Sequence, residues 1–125
     1  MNKLYYYQFG GFLKSNDGIK SFESKEEAEI LLNESRKRID EIDNALFDLI
    51  SERTSLAEGI ALSKHYLGMP VYDKSREEAI HNKIKRMAME NDLDEDIIDQ
   101  IIDMLTILSK NKQEEILRRN VNGQY

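Results

Sequence analysis

Apolar residues recur at spacings of three and four along the first half of the chain: Ala28, Leu32, Ile39, Ile42, Leu46, Leu49, Leu56 and Ile60. That period places them on one face of an α-helix. Ser24 followed by Glu27 has the form of a capping box, and Gly68, just before Pro70, is a stop signal. One helix is therefore expected from about Ser24 to Leu67. Gly59 is a weak interruption, and Asn33-Glu34-Ser35 is where a break would fall. A second helix is expected after Pro70-Val71-Tyr72, capped by Asp73, with Ile80, Ile84 and Met87 on one face and an end near Asn91. A third opens on the acidic turn Asp94-Glu95-Asp96, which suits a helix N-terminus. Its stripe of Ile97, Ile98, Ile101, Ile102, Leu105 and Leu108 runs to about Leu117.

Residues 1–23 have another character. Leu4, three consecutive Tyr (Tyr5 to Tyr7), Phe9, Phe12 and Leu13 crowd around Gly10-Gly11, a weak signal for a short hairpin. Residues 118–125 read as a tail. The expected organisation is an N-terminal extension over 1–23, one helical domain over 24–117, and that tail.

Length turns the first helix into an argument about assembly. About 40 helical residues span roughly 60 Å at 1.5 Å each. A compact chain of this size is only about 36 Å across. The apolar stripe of such a helix would lie bare in water unless a second copy covered it. The alternative is a kink near Ser35 and a monomeric bundle. The expected fold is all-α, with three helices per chain, a very long first helix, and an intertwined helical homodimer.

Composition narrows the chemistry. The 125 residues carry 34% charged side chains, one Pro and no Cys, which excludes disulfides and thiolate metal sites. A formal net charge of −6 argues against nonspecific nucleic-acid binding, although an acidic protein can still hold a cationic pocket. No apolar run is long enough to span a bilayer and no signal peptide is expected, so a cytoplasmic enzyme is the default. His65 and His81 lack metal-ligand spacing, and there is no glycine-rich phosphate loop.

The informative residues are polar ones where the stripes call for apolar ones. Arg53 and Lys64 fall on the core-facing line of the first helix, about three turns apart, with Ala57 and Ala61 between them. A small-residue floor with a long cation at each end is room for a small anion. Taken singly, each cation is more simply a residue snorkelling at the edge of a helix face. Ser109 and Gln113 continue the third helix's core line, where polar groups need partners, either each other or a ligand. Asp73 is explained by capping. Arg76 and Glu77 are not, and they stand at a helix N-terminus, which favours anions.

These residues resemble a known pattern. The stretch Arg36-Lys37-Arg38-Ile39-Asp40-Glu41-Ile42-Asp43 is similar to the opening of the all-helical chorismate mutase family. So are Leu49-Ile50-Ser51-Glu52-Arg53, Leu56-Ala57, Lys64, Gly68-Met69-Pro70-Val71-Tyr72-Asp73, Arg76-Glu77, Ser109 and Gln113. The resemblance covers residues 36–117 and does not reach residues 1–30. It implies an enzyme of aromatic amino-acid biosynthesis that rearranges chorismate to prephenate without cofactor or metal. It implies that Arg53 and a second chain's Arg36 grip the substrate carboxylates with help from Ser109. Lys64 and Gln113 would donate to the ether oxygen, Asp73 and Glu77 would take the hydroxyl, and Arg76 would steady that corner. Arg36 and Arg53 are about 25 Å apart along one helix, too far for one small ligand, so a shared site needs Arg36 from the other subunit.

Two other functions use the same scaffold. An isochorismate-pyruvate lyase also needs a lysine between carboxylate-binding arginines, but the lyases of this type lack the acid that follows Arg76. A module that senses chorismate or prephenate for a partner aromatic-pathway enzyme would give residues 1–23 a docking role.

Overall fold

The computed structural model describes residues 14–16 and 19–121. Gly10-Gly11, the tyrosine run and residues 122–125 lie outside them. The chain forms two compact units, Met1–Phe47 and Asp48–Tyr125.

In the first unit, β1 (Lys14–Asn16) and β2 (Ile19–Ser21) pair antiparallel, Lys14 opposite Ser21 and Asn16 opposite Ile19. The residues between them are Asp17-Gly18, a dipeptide favoured in two-residue hairpin loops. This pair of strands is the one departure from an all-helical fold among the described residues, and the hairpin expected around Gly10-Gly11 lies outside them. The helix α1 (Lys25–Ser55) follows. Ser24 Oγ accepts the Glu27 N–H at 3.2 Å, so Ser24 is the N-cap. The Glu27 carboxylate accepts from the Glu23 N–H at 3.0 Å, one residue earlier than a capping box requires. The helix is continuous through Asn33-Glu34-Ser35.

The second unit takes the last turns of α1, then α2 (Ala57–Tyr66), α3 (Lys74–Glu90) and α4 (Glu95–Val121). Leu56, between α1 and α2, keeps right-handed helical dihedrals (φ −69°, ψ −14°). Its N–H bonds the Arg53 carbonyl, and the Ile60 N–H bonds the Leu56 carbonyl. The interruption is one tightened turn, so the helix expected over 24–67 is present as two consecutive segments. α4 carries the helix to Val121, past the end expected at Leu117.

The turn after α2 decides where the chain goes next. Gly68 sits at φ +69°. Its N–H bonds the His65 carbonyl, and the Met69 N–H bonds the Lys64 carbonyl at 2.8 Å. These are the two bonds of a Schellman motif, whose left-handed position favours glycine. α3 ends the same way, with Leu93 N–H on the Ala88 carbonyl and Asp92 at φ +54°. Asp73 and Asp94 cap the starts of α3 and α4 by accepting the N–H groups of Arg76 and Ile97, each at 3.0 Å.

α2 and α3 both pack on α4. Ala57 and Ala61 are completely buried, and Ala88 and Ile116 nearly so. Small residues let helix backbones approach closely, and that contact is what these alanines serve. His81 Nδ1 meets Asp99 Oδ1 at 2.5 Å and ties α3 to α4. No described helix is long and apolar enough to cross a membrane.

Candidate active site

Close packing of α2 and α3 on α4 leaves a cavity of about 360 Å³. Its apolar lining comes from Leu56, Ile60, Val71 and Ile80, and its polar lining comes from all three helices and the end of α1. Arg53, Lys64, Asp73, Arg76, Glu77, Ser109 and Gln113 all line it. Arg36 does not: it is exposed on the first-unit part of α1.

The expected alanine floor is not the floor. Ala57 and Ala61 face helix packing, and Leu56 and Ile60 face the cavity instead. Arg53, Leu56, Ile60 and Lys64 follow steps of three and four along one helix face, and the two alanines lie beside that line, toward α4.

The deepest polar group is Gln113, at 4% exposure. Its Oε1 accepts from Lys64 Nζ at 2.9 Å, and its Nε2 donates to Ser109 Oγ at 3.1 Å. Lys64 Nζ also donates to the Val71 carbonyl at 2.7 Å, a contact made because the Gly68 turn folds residues 69–71 back over α2. An ammonium has three protons and a primary amide two. Lys64 and Gln113 each keep one N–H for a ligand oxygen, on side chains whose other bonds hold them still. Arg53 Nη1 donates to the Leu105 carbonyl at 3.0 Å, which fixes the guanidinium against α4 with its other donors uncommitted.

At the other end, Asp73 spends one carboxylate oxygen on capping α3, as expected of an N-cap. Arg76 makes no side-chain ion pair among the described residues and is exposed. Glu77 is 16% exposed and accepts from Lys110 Nζ at 3.1 Å. Lys110 lines the cavity and lies 5.2 Å from the Tyr72 ring centroid. Thr106, also in the lining, is buried and bonds its own helix at the Ile102 carbonyl. Sequence reasoning missed these two residues. The signal was present: Thr106, Ser109, Lys110 and Gln113 follow the i, i+3, i+4, i+7 pattern of one helix face.

The result is a partly apolar recess with cations at both ends, two anchored N–H donors deep inside, and carboxylates at the α3 start. Among the described residues no group of His, Cys, Asp and Glu is arranged to hold a metal ion. Such a recess can fix a small dianion carrying a hydroxyl and place donors at an oxygen that gains negative charge.

Comparisons with known proteins agree with that chemistry. A family model described as chorismate mutase type II matches residues 35–114. A chorismate mutase of Methanocaldococcus jannaschii is 41% identical over 91 residues, covering 73% of this chain and 92% of that protein. A solved structure of a conserved hypothetical protein from Pyrococcus furiosus is 32% identical, with a TM-score of 0.51, over 66% of this chain and 93% of that one. The matched segment takes in every cavity side chain and Arg36 as well, and the chain belongs to the chorismate mutase type II family of isomerases.

Proposed function

We propose that the cavity converts chorismate to prephenate, with Lys64 and Gln113 as the groups that act on the breaking bond. The rearrangement is intramolecular: one C–O bond breaks as a C–C bond forms, and no proton need move. Negative charge grows on the ether oxygen in the transition state. Donors already fixed by other bonds stabilise that charge without reorganising, which is where electrostatic catalysis is strongest. The observation that carries this reading is the Val71–Lys64–Gln113–Ser109 chain of hydrogen bonds on the cavity wall, which leaves one N–H uncommitted on each of Lys64 and Gln113.

The remaining groups hold the reactive conformer. Arg53, with Ser109, takes one carboxylate, and the arginine fork matches that anion. Glu77 accepts the substrate hydroxyl with Asp73, and Arg76 screens this corner. A lyase acting on isochorismate has less use for Glu77, whose presence on the cavity wall supports the mutase.

The second carboxylate is left to Arg36 of the partner subunit. Support for a dimer is the state of the α1 stripe: Leu32, Ile39, Ile42, Leu46 and Leu49 are 47–61% exposed in the single chain. Apolar area of that extent on one helix face is costly in water and is removed by pairing with a like face.

Incubating the purified chain with chorismate in the presence of chelator tests the proposal. Prephenate formation is the expected result, with no lyase product from isochorismate. A folded chain with no turnover above background overturns it.

A further inference from the structure

Lys110 belongs to none of the roles above, yet it lies on the cavity wall. Its ammonium is 3.1 Å from Glu77 Oε1, with the two side chains 27% and 16% exposed. Every other Lys or Arg ion pair between described residues joins positions three or four apart on one helix, mostly in the open. Those are the solvated pairs that contribute little. Lys110–Glu77 instead crosses from α4 to α3, and the Tyr72 ring flanks the same ammonium, at a distance where cation–π attraction acts.

We propose that Lys110 is a positioning residue that holds the Glu77 carboxylate for the substrate hydroxyl; this rests on the chorismate mutase reading of the cavity. A glutamate has three side-chain torsions, and an unheld one on a cavity wall spreads over many rotamers. Lys110 occupies one carboxylate oxygen and leaves the second to accept from the ligand. Through Tyr72 it also fixes the residue beside the Asp73 cap.

The test is a double-mutant cycle in the full chain with chorismate as the probe. Lys110→Met keeps most of the side-chain stem and removes the charge. It is expected to lower kcat/KM about tenfold, mostly as a rise in KM, because a hydroxyl contact holds ground state and transition state alike. Lys110→Arg is expected to recover activity to within about threefold of wild type. In a Glu77→Ala background, Lys110→Met is expected to cost less than about twofold, since the group it positions is gone. Additive losses overturn the proposal, as does failure of arginine to rescue in a chain that melts normally. Loss of cooperative melting in Lys110→Met also overturns it, because the lysine would then serve the fold. An inactive wild-type chain defeats the underlying reading of the cavity instead, and the cycle separates the two failures.

Discussion

At the scale of single residues, the cavity's chemistry depends on donors that cannot drift. Gln113 is held from both sides, by Lys64 at 2.9 Å and by Ser109 at 3.1 Å. Its amide has no proton to lose near neutrality, so replacing it with an acid introduces a titration where there was none. Gln113→Glu is expected to be active mainly near pH 5, where the carboxylic acid can still donate, and to lose most activity by about pH 8. Two effects add at the higher pH: the ionised carboxylate is an acceptor only, and it draws the Lys64 ammonium toward itself. Initial rates at the two pH values check this, and equal activity at both would contradict the contact with the ether oxygen. The residues of this chain were legible in sequence because each broke an apolar stripe. Lys110 and Thr106 broke the same stripe and were passed over, since a lysine or threonine near a helix edge is commonplace. Only the distance from Lys110 to Glu77 separates it from a solvated cation.

At the scale of elements, caps and turns place the site. The Gly68 turn reverses the chain so that the Val71 carbonyl returns to Lys64. A Cβ at Gly68 would meet nothing within 4 Å, so the cost of Gly68→Ala is purely the left-handed backbone. That substitution is expected to remove about 1 kcal/mol of stability in urea unfolding and to lower turnover through the Lys64 anchor. The His81–Asp99 contact joins α3 to α4 one turn beyond Glu77, and His81→Ala should cost about 1 kcal/mol by the same measurement. The start of α1 is capped locally by Ser24. A chain lacking residues 1–23 is therefore expected to remain a folded dimer with substantial turnover. Light scattering and a chorismate assay test this, and loss of turnover with helicity intact would put the N-terminal segment in the site.

At the scale of the whole molecule, the expectation concerns two copies. Arg36→Ala and Arg53→Ala homodimers should each lose activity tens-fold or more, because each site lacks one carboxylate anchor worth on the order of 2–3 kcal/mol. Co-refolding the two variants makes half the dimers mixed. Each mixed dimer has one site with Arg53 from one chain and Arg36 from the other, and a second site with both defects. Activity should return to about a quarter of wild type. If Arg36 served its own chain's site, mixing would restore nothing. Absence of recovery, with mixed dimers shown to form, would refute the shared site.

What the chain alone determined is what short-range physics controls. Helical period, caps at Ser24, Asp73 and Asp94, the stop at Gly68 and the polar breaks at Arg53, Lys64, Ser109 and Gln113 are each written within a few residues, because helix geometry repeats every turn. The pairing of β1 with β2 has its own short-range signal in the intervening Asp17-Gly18 of the sequence. What only the tertiary structure decided depends on residues distant in sequence. Leu56 and Ile60 line the cavity while Ala57 and Ala61 take the helix contact, a choice between neighbouring positions that the placement of α4 decides. Glu77 and Lys110 stand 33 positions apart, as do no neighbours within one helix. Their pairing exists because α3 and α4 pack in one register, set by side-chain contacts that local sequence pattern does not encode.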